Sequence, residues 1–226
     1  TSVSFSNVLK KFNIYVTKTD SETGETPQGD ATLDGAEYDI YNSQGEFVEH
    51  ITSDGNVAVS SALPLGTYKI YETVPPTGYN LNTEPITVSG DFDGQTVEVS
   101  RIDTGISDSV IKGQIALVKF ADSPLTGDTE DGGIKTPLEG VEFTITRKST
   151  GEEVCKIVTD SDGYGISSYL PYGCYVVTET GTPDGYRSVE PFEVMVDAQG
   201  KTYKYILENS VYETDVKIVK KDSETG

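Results

Sequence analysis

Three kinds of side chain recur at matched places in this chain: a lysine, a glutamate, and an amide or acid. Each stands in an alternating run with apolar neighbours. Tyr175, Val177 and Glu179 share one strand parity, and Tyr68, Ile70 and Glu72 repeat it. Lys119 shares parity with Ile115 and Leu117, Lys18 with Ile14 and Val16, and Asn209 with Tyr203, Tyr205 and Leu207. Alternate residues of a strand face the same side, so a core-facing apolar set carries its polar member inward. Desolvation lowers a lysine pKa and raises a glutamate pKa, which leaves a neutral amine beside a neutral acid. Such an amine is a nucleophile, and the acid can shuttle protons to a carboxamide held beside it. The product is a side-chain amide, formed once per molecule with loss of ammonia from Asn or water from Asp. The plainer reading of the same parity is a snorkelling lysine and a salt-bridged glutamate at a strand end.

Other chemistry is poorly supplied. His50 is the single histidine, in the alternating stretch Glu46-Phe47-Val48-Glu49-His50-Ile51, and reads as a strand residue. A Ser-His-Asp or Cys-His engine would have to use it. With one His and two Cys there is no zinc set. The acidic turns Asp160-Ser-Asp162-Gly and Asp128-Thr-Glu130-Asp131-Gly-Gly lack a full calcium ligand spacing. No metal or cofactor is expected, and no turnover enzyme. Cys155 and Cys174 lie on different predicted strands, either as free thiols or as a disulfide.

The elements that must position these groups come in repeats. Tyr68-Lys-Ile-Tyr-Glu72-Thr73-Val-Pro-Pro76-Thr-Gly78-Tyr79 returns as Tyr175-Val-Val-Thr-Glu179-Thr180-Gly-Thr-Pro183-Asp-Gly185-Tyr186, an offset of 107. Leu33-Asp-Gly35-Ala-Glu-Tyr38 returns as Leu138-Glu-Gly140-Val-Glu-Phe143. Lys18-Thr-Asp20-Ser-Glu-Thr-Gly24 is echoed at the end by Lys220-Lys221-Asp222-Ser-Glu-Thr-Gly226. Lys18, Lys119 and Lys220 are evenly spaced by 101. Two whole repeats are therefore expected between two stubs. Residues 1–10 read as the end strand of a preceding repeat or a linker, 11–109 and 110–212 as the two domains, and 213–226 as the first strand of a following repeat. Asn7 and Lys220 would pair with absent neighbours.

Short alternating runs, separated by Gly, Asp, Asn and Pro clusters, predict an all-β chain of two tandem immunoglobulin-like sandwiches. Asp54-Gly55, Asp93-Gly94 and Asp162-Gly163 read as hairpin turns. The stretch from Ser123 to Pro137 reads as an inserted polar loop. The 226 residues carry 37 acidic and 17 basic side chains, for a net charge of −20. A field of that sign opposes nucleic acid and anionic lipid surfaces. No apolar run approaches the ~20 residues of a membrane span. With neither initiator Met nor leader nor anchor, the chain reads as a piece of something longer.

The segment Y-x-(I/V)-x-E-T-x-x-P-x-G-Y, present twice, resembles the E-box of Gram-positive pilins, with Ile70 or Val177 at the usual Leu position. Together with L-(D/E)-G-(A/V)-E-(Y/F) and the K-x-D opening, each repeat resembles the CnaB-type domain (SpaA-like, prealbumin-like) of pilins and collagen-adhesin stalks. That resemblance implies a reverse-immunoglobulin sandwich of about seven strands with an intramolecular Lys–Asn or Lys–Asp isopeptide bond assisted by Glu. It implies Lys119, Glu179 and Asn209 in the second domain, and Lys18 with Glu72 in the first. The first-domain acceptor stays open. Counting back to the hairpin glycines Gly200 and Gly94 favours Asp103. Asp108-Ser-Val, preceding Lys119 by the interval that separates Asn209-Ser-Val from Lys220, is the alternative. No bond in that domain is a third possibility. The implied role is a structural stalk or pilus shaft, extracellular and anchored to the cell wall, or else an adhesive module. Its partners would be neighbouring repeats of the same polypeptide, or a host or cell-surface ligand.

Overall fold

The computed structural model describes residues 9–91, 101–121 and 135–210, together with Val3 and Tyr212. Most of the two expected stubs, the Asp93-Gly94 hairpin, the acidic turn at Asp128–Gly133, and Asn7 and Lys220 lie outside the described residues.

The first sandwich is built from β1 (Lys11–Asp20), β2 (Glu37–Asn42), β3 (Phe47–Thr52), β4 (Val57–Val59), β5 (Leu63–Pro64), β6 (Gly66–Val74), β7 (Ile86–Gly90) and β8 (Arg101–Asp108). One sheet runs β3-β2-β6-β7; in the other, β1 pairs with β4, β5 and β8. The second sandwich repeats the plan with β9 (Lys112–Ala121), β10 (Thr136–Pro137), β11 (Glu142–Arg147), β12 (Glu153–Val158), β13 (Tyr164–Ile166), β14 (Leu170–Pro171), β15 (Gly173–Gly181), β16 (Phe192–Val196) and β17 (Thr202–Asn209). Its sheets are β12-β11-β15-β16 and β9 with β10, β13, β14 and β17. No helix of the described residues is long and apolar enough to cross a membrane.

The alternation seen in the sequence is the burial pattern of the strands. In β1 every second residue from Phe12 to Asp20 is buried. Phe12, Ile14, Val16, Tyr38, Ile40, Ile70 and Ile106 fill the first core; Ile115, Leu117, Phe143, Ile145, Tyr175, Val177 and Val196 fill the second. Each such side chain contributes about 1.5–3 kcal/mol on burial. The period of two that buries these residues also carries Lys18 and Lys119 to full burial.

In both domains the first and last strands are parallel neighbours. β1 pairs with β8 from Asn13↔Arg101 to Asp20↔Asp108, and β9 with β17 from Thr202↔Gln114 to Asn209↔Ala121. The C-terminal ends of the two strands are thus brought side by side, one strand having entered and the other leaving the domain.

The domains meet over a three-residue connection, Ser109-Val110-Ile111. Val110 is buried with Ala31, Leu33 and Tyr79, and Tyr172 from the second domain packs onto this cluster. The Asp30 amide donates to the Tyr172 carbonyl at 2.8 Å. The Asp30 carboxylate accepts from the Cys174 amide at 3.0 Å and from the Ser149 hydroxyl at 2.5 Å. Gly29, at φ 64°, lets the backbone come this close: a Cβ there would lie 2.2 Å from the Tyr172 carbonyl oxygen. Lys112 Nζ pairs with Glu22 Oε2 at 2.6 Å across the same joint. Asp30→Ala is expected to loosen the joint while leaving both cores intact, because it removes two hydrogen bonds across it and leaves the part-buried Cys174 amide without its acceptor. Residual dipolar couplings should then fit two alignment tensors instead of one, with unchanged melting of each domain. A single shared tensor in the variant would contradict this.

Candidate functional site

β9 delivers Lys119, β15 delivers Glu179 and β17 delivers Asn209 to one point between the two sheets. The Lys119 and Glu179 side chains have no solvent exposure, and Asn209 has none as a residue. Lys119 Nζ lies 3.0 Å from Glu179 Oε2 and hydrogen-bonds Asn209 Oδ1. Asn209 Nδ2 donates to Glu179 Oε1 at 2.8 Å. The second glutamate oxygen also accepts from the Val189 amide at 3.0 Å, which holds the carboxylate in place. The Phe143 ring closes the pocket, its centroid 5.8 Å from Lys119 Nζ. Burial pulls the Lys119 amine below the ordinary lysine range, against the opposing pull of Glu179. The arrangement has an amine, a proton carrier and a carboxamide in mutual contact, out of water.

The first domain holds a parallel arrangement with an acid as its third member. Lys18 Nζ is 2.5 Å from Glu72 Oε1 and 2.5 Å from Asp108 Oδ1, all three side chains being fully buried. Glu72 Oε2 accepts from the Asn82 amide at 2.9 Å, as Glu179 does from Val189. Burial pushes the Asp108 carboxyl up to about 6; Lys18 opposes that shift and Glu72 adds to it.

Asp103, favoured by the hairpin count, is not in this pocket. It is exposed and paired with Arg101 at 2.5 Å. The count assumes equal connections before the last strand. The one from Gly90 to Arg101 is longer than that from Val196 to Thr202, so equal distance from a hairpin glycine is not equal height on the strand. In register, Asp108 faces Asp20 on β1 as Asn209 faces Ala121 on β9.

The disulfide alternative for Cys155 and Cys174 also fails. Both are free, and β11 lies between their strands β12 and β15. Two strand spacings of about 4.8 Å exceed the ~7 Å Cα limit for a bridge. His50 is an exposed residue of β3 whose Nδ1 lies 2.8 Å from Asp39 Oδ1 and whose Nε2 lies 3.4 Å from Glu37 Oε2.

One feature absent from the sequence reading is an aromatic face on the outer side of the first domain. Tyr41 packs edge-on against both Phe47 and Tyr71, with centroids 5.8 and 5.6 Å apart. Tyr41 and Tyr71 line a shallow groove of about 670 Å³ together with Asp39, Asn42, Gln44 and Lys69. The three rings come from three strands, so only pairing assembles them. The second domain has Thr144, Thr146, Val176 and Thr178 on the matching strands.

Comparison with known proteins agrees with this architecture. The family model described as SpaA, prealbumin-like fold domain, matches residues 12–104 and again 125–211. The trypsin-resistant surface T6 protein of Streptococcus pyogenes serotype M6 is 26% identical over 191 residues, covering 81% of this chain and 32% of that protein. Among solved structures, the Bacillus anthracis TIE protein superposes with a TM-score of 0.68 at 30% identity, covering 89% of this chain and 34% of that one. The C-terminal fragment of the pilus adhesin SpaC from Lactobacillus rhamnosus GG shares the fold at a TM-score of 0.54 and 16% identity, covering 91% of this chain and all of the fragment. The chain spans about a third of the length of the T6 and TIE proteins. With both sandwiches matched by the same model, the chain belongs to the SpaA prealbumin-like fold domain family and carries two of its domains.

Proposed function

We propose that this chain is a stalk or pilus-shaft segment of a cell-wall-anchored protein outside a Gram-positive cell, and that each domain is closed by a self-formed amide. The observation that carries the reading is the full burial of Lys119 in contact with both Glu179 and Asn209. An unbonded lysine, glutamate and amide in an apolar core are costly to keep. As a covalent amide they are not.

The step is a condensation. Lys119 passes a proton to Glu179, and the neutral Nζ attacks Asn209 Cγ. Glu179 Oε1, already hydrogen-bonded to Nδ2, returns that proton there; Nζ gives up its second proton to Glu179, which ends protonated, and ammonia departs as the Nζ–Cγ amide forms. In the first domain Lys18 attacks Asp108 Cγ, and the departing group is water. Contact between the reactants replaces a bimolecular encounter, so an intrinsically slow aminolysis becomes feasible. Each domain reacts once, so the chain is not a turnover catalyst.

Force explains the use. Load enters the second domain along β9 and leaves from the end of β17. An amide between Lys119 and Asn209 passes the load directly, and the strands between them are bypassed. The partners are neighbouring repeats of the same polypeptide. One relative is named for resistance to trypsin, a property such closure confers.

Intact mass is the test. The folded protein is expected to be lighter than its sequence by one ammonia and one water, with Lys119–Asn209 and Lys18–Asp108 peptides in a digest. Full sequence mass would end the reading.

The aromatic groove of Tyr41 and Tyr71 favours a second reading, an adhesive module that binds an extracellular-matrix or cell-surface ligand. A matrix-protein and glycan array probed with wild type and a Tyr41→Ala/Tyr71→Ala variant decides it: binding lost in the variant supports adhesion, and no binding by either favours the stalk alone.

A further inference from the structure

The two pockets differ in charge. With Lys protonated and the acids ionised, Lys119, Glu179 and Asn209 sum to zero, whereas Lys18, Glu72 and Asp108 carry one negative charge. An acid acceptor in an apolar core therefore needs an extra donor that an amide acceptor does not.

The first domain has a candidate in the Tyr38 hydroxyl, which makes no hydrogen bond in this structure. Tyr38 lies directly across from Glu72 in the β2–β6 pair, the place that Phe143 holds across from Glu179. Tyr38 is fully buried. Among the described residues, the buried side-chain oxygens without a hydrogen-bond partner are its hydroxyl and both oxygens of Asp108. The Lys18–Asp108 contact is thus an ion pair whose carboxylate still lacks a well-directed donor. Burial and the fields of Glu72 and Asp108 hold the Tyr38 phenol above its usual range, so the hydroxyl stays protonated and able to donate.

We propose that Tyr38 is the positioning residue of the first-domain condensation, its hydroxyl donating to the Asp108 carboxyl oxygen that remains as the amide carbonyl. The hydroxyl fixes the carboxyl plane so that Lys18 Nζ meets Cγ, and it steadies negative charge on that oxygen as the bond forms. Glu72 carries the proton from Lys18 to the other oxygen, which leaves as water. Tyr38 gives up no proton overall, so the balance stays one amine plus one acid to one amide plus water. Tyrosine is matched to the acid acceptor and phenylalanine to the amide acceptor. The inference rests on the proposed Lys18–Asp108 bond.

Its test uses the two domains of one chain as reaction and control. Chains made by cell-free synthesis are held unfolded, then refolded, and quenched samples are digested and weighed. Tyr38→Phe is expected to slow water loss from the first domain by at least about tenfold, with ammonia loss from the second unchanged. Tyr38→Phe/Asp108→Asn should recover closure, now with ammonia loss, because it reproduces the second pocket. A merely structural tyrosine would not be rescued by changing the acceptor. Conversely, Asn209→Asp should close slowly and Phe143→Tyr/Asn209→Asp faster. Closure of Tyr38→Phe at the wild-type rate, or no rescue by the added Asp108→Asn change, overturns the assignment while leaving the bond itself standing. A wild-type first domain that never loses water overturns both.

Discussion

Lys119→Met is expected to leave the second domain at its full sequence mass, less stable by about 4–5 kcal/mol, and open to trypsin. The estimate is the chain-entropy value for closing a loop of about this length; the bond would join residues 90 apart. For a domain of this size that lowers the melting temperature by roughly 20–30 °C. Methionine replaces the lysine stem with apolar atoms of similar length, so little of the change reflects a cavity. The first domain should melt as in wild type, giving two transitions where the parent has closely spaced ones. Differential scanning calorimetry with limited trypsinolysis reads both effects. A Lys119→Met domain that melts with its parent would show that no covalent closure existed to lose.

The second large effect is a pH dependence confined to one domain. The reactive state of the second pocket, neutral amine with protonated Glu179, holds as many protons as the resting ion pair, so no proton is taken up. With Glu72 entering protonated, as Glu179 does, and Asp108 as the neutral acid, the first pocket gains one: that state holds one more proton than Lys18 cation with two carboxylates. The raised pKa of Asp108 supplies the sign. Below about 6 that extra proton is bound, and above it the proton is lost, so closure slows as pH rises. Between about pH 6 and pH 8 the first-domain rate should fall roughly tenfold per pH unit, as mass action for a single proton requires. The second-domain rate should not follow the same curve. Refolding into a pH series with quench and peptide mass analysis measures both in one tube. Parallel profiles would place the missing proton elsewhere.

Much of this is legible because strand parity has a period of two and core-facing residues announce it. Lys18 with Ile14 and Val16, and Glu179 with Tyr175 and Val177, need nothing else. The hairpin count that favours Asp103 departs from that rule. Along β8, Ile106 and Asp108 are the buried residues, whereas Arg101 and Asp103 face outward. Parity alone selects Asp108. So does the separation from lysine, which is the same for Lys18–Asp108 as for Lys119–Asn209. In the sequence Tyr38 is only the counterpart of Phe143, because its extra oxygen matters only once Asp108 is known to lie nearby. The joint and the aromatic face are hidden for a different reason. Tyr172 acquires its role from a loop more than a hundred residues away, and the three rings of the outer face meet only through pairing of β2, β3 and β6.

The connection Ser109-Val110-Ile111 gains a particular significance if both amides form. A pull on the chain would then run along β1 to Lys18, across to Asp108, through these three residues, and along β9 to Lys119 and out at Asn209. Everything else hangs beside that line. Among the described residues of that route, the short connection lies outside the named strands and is held by the isolated Val110–Tyr79 bridge and by backbone hydrogen bonds from Ile111 to Gly78 and from Asn80 to Ser109, so elastic give is expected there first. Tyr172 packs on the cluster that holds Val110 and donates its amide to the Ile111 carbonyl, while Asp30 ties Tyr172, Cys174 and Ser149 to the first domain. The compliance of a fibre built from such units would be set by a carboxylate and a ring in the seam rather than by the strength of either core.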